Sequence, residues 1–147
     1  MKKLLLTLTI SSILVLVLVA DQYYLTIDND KPDTKANKLY FQRRFKMKIT
    51  DDVKNLYCEE SFGILDGSQE MTFVCDSQTI NKIIKQLGLS QEGNLSNSSF
   101  GSLLRKSESE INKLRPFYSK PGSDHYCYYF LWYNKTNKHA FFQSYDT

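Results

Sequence analysis

An α+β domain is predicted: an antiparallel sheet of about four to five strands, with one or two short helices on one face and an N-terminal hydrophobic helix ahead of it. Three observations predict it. Two strand-like stretches fold back around turn signals, at Asp66-Gly67 and at Asn134 to Asn137. Between them, Ile80, Ile83, Ile84 and Leu87 recur at i, i+3, i+4 and i+7, as on one side of a helix. And the chain opens with Met1-Lys2-Lys3 followed by seventeen residues, Leu4 to Ala20, without a charge.

That opening run admits two uses. A cleaved signal has a basic start, a short apolar run and small residues at the cut; Ala20 suits the cut, but Leu18 is not small. An uncleaved anchor of this length spans about 25 Å as a helix, a little short of the ~30 Å hydrocarbon core. Tyr23 and Tyr24 then suit the headgroup belt. Lys2 and Lys3 before the run, with Asp21, Asp28 and Asp30 after it, orient the N-terminus inside. The chain is thus expected to meet the membrane through residues 4–20, with its body outside the cytoplasm. The alternative is a secreted or periplasmic body released near Ala20.

Residues 21–39 read as a polar linker, with Pro32 inside Asp28 to Asn37, and residues 40–147 as a single small domain. Beyond Ala20 the chain carries seventeen basic and sixteen acidic residues, a net +1. Such a balance gives no electrostatic reason to expect nucleic acid. Tyr40 to Ile49 alternates and reads as the first strand, with Phe41, Phe45, Met47 and Ile49 on one side. Arg43, Arg44, Lys46 and Lys48 are candidate membrane-surface contacts; the plainer alternative is a solvated edge protected by lysines.

Tyr57 to Leu65 and Ser68 to Asp76 flank Asp66-Gly67, a type I′ hairpin signal. With those two residues as the loop, Cys58 stands opposite Cys75. The short Cα separation of a non-hydrogen-bonded pair then admits a structural disulfide in an oxidising compartment. Asp76-Ser77 offers the cap of the following helix and Gly88 its stop. Ser90 to Ser102 is a polar loop, and Phe100 to Leu114 holds a second helix ended by Pro116. Asn94, Asn97 and Asn134 stand in glycosylation-type triplets. In the final hairpin, His125 to Tyr133 pairs with Lys138 to Tyr145, with Leu131 opposite Ala140 and His139 opposite Trp132. Tyr126, Tyr128, Phe130 and Trp132 form either a recognition surface or one covered side of a central strand.

Little in the sequence carries chemistry. Cys127, His125 and Asp146 compose a thiol nucleophile, base and orienting acid on paper; the commoner fate of such a cysteine is packing in a sheet. Two histidines on opposite sheet faces give no metal set, and no phosphate loop or hydrolase motif is present. No cofactor is expected, and the chain reads as a non-enzyme.

Tyr133-Asn134-Lys135-Thr136, Phe141-Phe142 and the terminal Tyr145-Asp146-Thr147, with Gly63 and Asp66-Gly67 upstream, resemble the terminal hairpin region of small secreted or membrane-anchored bacterial proteins of unknown function. The resemblance implies a bacterial envelope protein and brings no activity or site residues. The expectation is a protein-binding module of immunity or accessory type, with an envelope thiol enzyme and a membrane-surface module as alternatives.

Overall fold

Residues 30–62, 67–91, 100–119 and 127–146 are described by the structure, a computed structural model. The expected hydrophobic helix at residues 4–20 lies outside them. Among the described residues no helix is long and apolar enough to cross a membrane.

The described residues open with a helix where a strand is expected. Helix α1 runs Lys35–Phe45. Thr34 caps it, its Oγ1 accepting from the Asn37 N–H at 3.1 Å. Lys46 ends it in the left-handed region at φ 48°. Phe41 and Phe45, four apart, share one side of a strand and equally one side of a helix, so alternation does not distinguish the two. Thr34 and the helix-favouring Ala36 decide it. The first turn therefore occupies the last residues of the expected linker.

A five-stranded antiparallel sheet follows, with strands β1 (Lys54–Phe62), β2 (Gly67–Val74), β3 (Phe117–Ser119), β4 (Cys127–Asn134) and β5 (His139–Asp146) in the order β1-β2-β5-β4-β3. The first hairpin forms in another register: Phe62 pairs with Gly67 and Cys58 with Met71, four residues short of Cys75. Cys75 thus stands about 13 Å along β2 from Cys58's partner, at ~3.4 Å per residue, beyond the ~7 Å a disulfide spans between Cα atoms. Among the described residues no disulfide joins Cys58, Cys75 or Cys127. Because the displacement is even, Cys58 and Cys75 keep the same sheet face, and both are buried in one cluster. The second hairpin is displaced by two: Leu131 pairs with Phe142, Trp132 with Phe141, and Asn134 rather than Trp132 with His139.

Helices cover both faces of the sheet, not one. On the first, α1 and α2 (Ser77–Leu87) pack over Cys58, Met71, Phe73 and Phe142. Helix α2 ends at Gly88, whose φ of 61° makes the left-handed C-cap with its N–H near the Lys85 carbonyl. Phe41, Phe45, Phe73 and Phe142 are unexposed and meet edge to face, with centroids 4.7 to 5.3 Å apart for three of their contacts. The second helix expected over Phe100 to Leu114 splits into two short ones, α3 (Ser102–Arg105) and α4 (Glu108–Ile111). Their Leu104 and Ile111 cover Phe130, Trp132 and Phe141 on the second face.

Three carboxylates fasten these layers. Asp33 binds the outer edge of β1, accepting from the Asn55 and Leu56 N–H groups at 3.1 Å while its own N–H donates to the Leu56 carbonyl at 2.9 Å. This covers part of an edge strand otherwise open to pairing. Asp52 holds the start of α2, accepting from the Asp76 N–H at 2.9 Å and the Thr79 hydroxyl at 2.8 Å. Glu70, 3% exposed, accepts from the N–H groups of Gly101 at 2.5 Å and Leu104 at 3.1 Å, and from Gln143 Nε2 at 3.2 Å. It thereby seats α3 on the sheet. Gly101 is needed for that approach, since a Cβ there would lie 2.8 Å from the Glu70 carboxyl carbon. At the far edge, Ser90 closes β3 by exchanging two backbone hydrogen bonds with Tyr118.

Candidate functional site

With both apolar faces covered, the polar surface left for function includes one end of the first face. There the C-terminal turn of α1 overhangs β1, β2 and β4, and a cleft of about 390 Å³ opens between them. Tyr40, Arg43, Arg44 and Lys46 line it from above, Glu60, Gln69 and Tyr129 from the strands.

Side-chain hydrogen bonds hold its floor. Arg44 donates through Nε to Gln69 Oε1 at 2.7 Å and through Nη2 to the same atom. Gln69 Nε2 donates onward to Glu60 Oε1 at 2.9 Å. The Arg44 guanidinium also stands 5.7 Å from the centre of the Tyr129 ring, within cation–π range. Burial, and secondarily the hydrogen bond with Glu60, pushes the Tyr40 hydroxyl up to about 12, so it stays protonated at ordinary pH. Among the described residues, no hydrogen bond or ion pair engages Arg43 or Lys46, and both are exposed. The cleft therefore offers two solvent-facing cations above a fixed arginine, glutamine and glutamate, between two tyrosines. It can accept an anionic or amphipathic group.

The other sequence candidates are dispersed. Tyr126 and His125 lie outside the described residues. Cys127 pairs with Asp146 across β4 and β5, a position expected for His125. Phe130 and Trp132 are each only 4% exposed, lying under Phe100, Leu104 and Ile111 with half-buried Tyr128 beside them. Phe130 and Trp132 are thus covered, and Tyr128 is partly so. Burial pushes the Cys58 and Cys75 thiols up to about 12, which leaves them protonated and unreactive. His139 Nδ1 approaches Glu110 Oε2 at 3.8 Å. Among the described residues no group of three or more His, Cys, Asp or Glu side chains is gathered to hold a metal ion. Arg43, Arg44 and Lys46 do stand together, though on a helix, and Lys48 follows exposed beyond it. Tyr40, Glu60, Gln69 and Tyr129 have no local signal in the sequence, because α1 and the sheet register alone bring them to one place.

A second polar cleft, about 660 Å³, lies between β1 and α3 and is lined by Asp30, Tyr57, Glu59, Ser102 and Lys106 among others. There the Ser102 hydroxyl donates to Glu59 Oε1.

No family model, curated protein or solved structure matches this chain.

Proposed function

We propose that this chain is a membrane-tethered, extracytoplasmic recognition module that binds another protein and performs no catalysis, in the manner of an immunity or accessory protein of a bacterial envelope. The observation that carries the proposal is the composition of the α1 cleft. Arginine and tyrosine, the side chains enriched where protein interfaces concentrate their binding energy, surround it. Three of the well hydrogen-bonded acidic groups serve the fold: Glu70 seats α3, Asp52 holds α2 and Asp33 covers β1. The tether rests on the charge-free run of residues 4–20 and its flanking charges. Free Cys58 and Cys75 are compatible with an oxidising compartment, because buried, protonated thiols oxidise slowly.

Site-specific photo-crosslinking tests this. Benzoylphenylalanine at Tyr129 of the full chain, in its own membrane, should give a discrete protein adduct that Arg43→Glu abolishes. The same probe at Lys82, on the outer side of α2, should not. Identical adducts from both positions, or none from position 129, would refute the cleft as the recognition surface. Turnover by the purified protein would refute the non-catalytic assignment.

A further inference from the structure

Charge is unevenly distributed over this molecule, and α1 is where it concentrates. From Thr34 to Thr50 there are six basic residues, Lys35, Lys38, Arg43, Arg44, Lys46 and Lys48, and no acidic one. The rest of the chain after Ala20 holds eleven basic and sixteen acidic residues, a net −5 against the +6 of this segment. The asymmetry is spatial as well. Lys35 and Arg43 are exposed away from unexposed Phe41 and Phe45, Lys38 is exposed beside those two, and Lys46 is exposed at the C-cap. Half-exposed Leu39 lies among the lysines and belongs to neither core cluster. From Lys35 to its C-cap Lys46, the exposed part of α1 thus carries four basic residues over about 16 Å at ~1.5 Å per residue, with one aliphatic side chain among them.

We infer that this row of α1 docks on anionic lipid headgroups of the membrane that holds the chain. Two features favour a lipid surface as occupant. The row is of a single sign and lysine-rich, which suits a diffuse array of phosphates better than one fixed carboxylate. And only fourteen residues separate Ala20 from α1. Fourteen residues span at most about 50 Å even when fully extended, so the tether would keep the row within that distance of the bilayer surface, and weak contacts suffice at the resulting effective concentration. The inference goes beyond partner binding and rests on the tether in that proposal. Docked this way, the cleft at the end of α1 lies beside the bilayer, within reach of a membrane-embedded partner.

The test uses the full chain in vesicles of phosphatidylcholine alone or with about 30 mol% phosphatidylglycerol, each carrying a photoactivatable headgroup lipid. In anionic vesicles, crosslinks should map to the Lys35–Lys48 segment. They should fall to the neutral-vesicle level in about 0.5 M salt, where screening acts within a few ångströms. They should fall likewise in the variant Lys35→Glu, Lys38→Glu, Lys46→Glu, and in the milder Lys35→Gln, Lys38→Gln, Lys46→Gln, whose fold unchanged Trp132 emission verifies. Equal α1 labelling in neutral vesicles, or no α1 labelling in anionic ones, overturns the inference. Carbonate extraction of the same vesicles reads the tether separately. A chain released by carbonate refutes the tether, and salt-sensitive α1 crosslinks in such a preparation still support the lipid contact.

Discussion

Asn37→Asp probes the junction that makes residues 31–45 a clamp on the sheet. Asn37 is unexposed, and its Nδ2 donates to the carbonyl oxygens of Lys31 and Leu56, both at 2.8 Å. Aspartate has nearly the same shape but, ionised, no proton to donate, so a carboxylate oxygen would face two carbonyl oxygens without water. The two lost hydrogen bonds are worth about 1 kcal/mol each. An unpaired buried charge adds about 3 kcal/mol, the lower end of what stripping a buried ion of its partner costs. The total of about 5 kcal/mol approaches the whole stability of a small domain. Asn37→Ala should lose only about 2 kcal/mol, because the Leu56 carbonyl still accepts from the Asp33 N–H. The pH dependence has a definite sign. Burial raises the introduced carboxyl's folded-state pKa above its unfolded value. Its protonated form is therefore tolerated near pH 4, and stability is lost as pH rises past that. Urea unfolding followed by Trp132 emission at both pH values measures it. An Asn37→Asp variant within about 1 kcal/mol of wild type at neutral pH, or equally weakened at both, would refute this placement of α1.

Gly101→Ala should cost about 2 kcal/mol through overpacking against Glu70, lowering the melting temperature by roughly 10 °C in a domain of this size, although its φ of −70° suits alanine. Burial acts upward on Asp52, but hydrogen bonds from Thr50, Asp76 and Thr79 prevail and hold it at about 2. Its folded pKa is thus depressed, so its contribution is present above about pH 4 and disappears as pH falls through 2. Acid titration of stability should show that loss in wild type and not in Asp52→Asn. Cys58 and Cys75, buried and held near 12, should resist a thiol reagent in the native protein and label fully in urea, as peptide mass mapping will show.

Elements were more legible in the sequence than their partners. Helix α2 carries its own punctuation, with apolar spacing from Ile80 to Leu87 between Asp76 and Gly88, and it forms there. Both hairpins form, but Asp66-Gly67 is not a two-residue loop: Gly67 already pairs with Phe62, leaving four residues between them. In the second hairpin, Asn134 and His139 also enclose a four-residue turn, where Lys138 has a φ of 59°. Both displacements are even, so face assignments survive while cross-strand partners change, and the disulfide depended on partners. Helix α1 was hidden because its two phenylalanines satisfy both periodicities. Helices on both faces were foreshadowed by β4, where Phe130 and Trp132 alternate with Tyr129 and Leu131, and each set has its own cover. For the cleft, only the basic residues were visible in advance. Glu60, Gln69 and Tyr129 lie on three strands, and no local pattern announces such a meeting.

The claim to test most directly is that this is a tethered domain facing out of the cytoplasm. Sealed, right-side-out membranes from cells making the untagged chain should be extracted with carbonate and, in parallel, treated with protease. The chain is predicted to stay with the membrane at its full 147-residue mass and to lose its folded body to external protease. Recovery in the carbonate supernatant would contradict the tether. Protection of a membrane-bound body until the vesicles are opened would contradict its orientation.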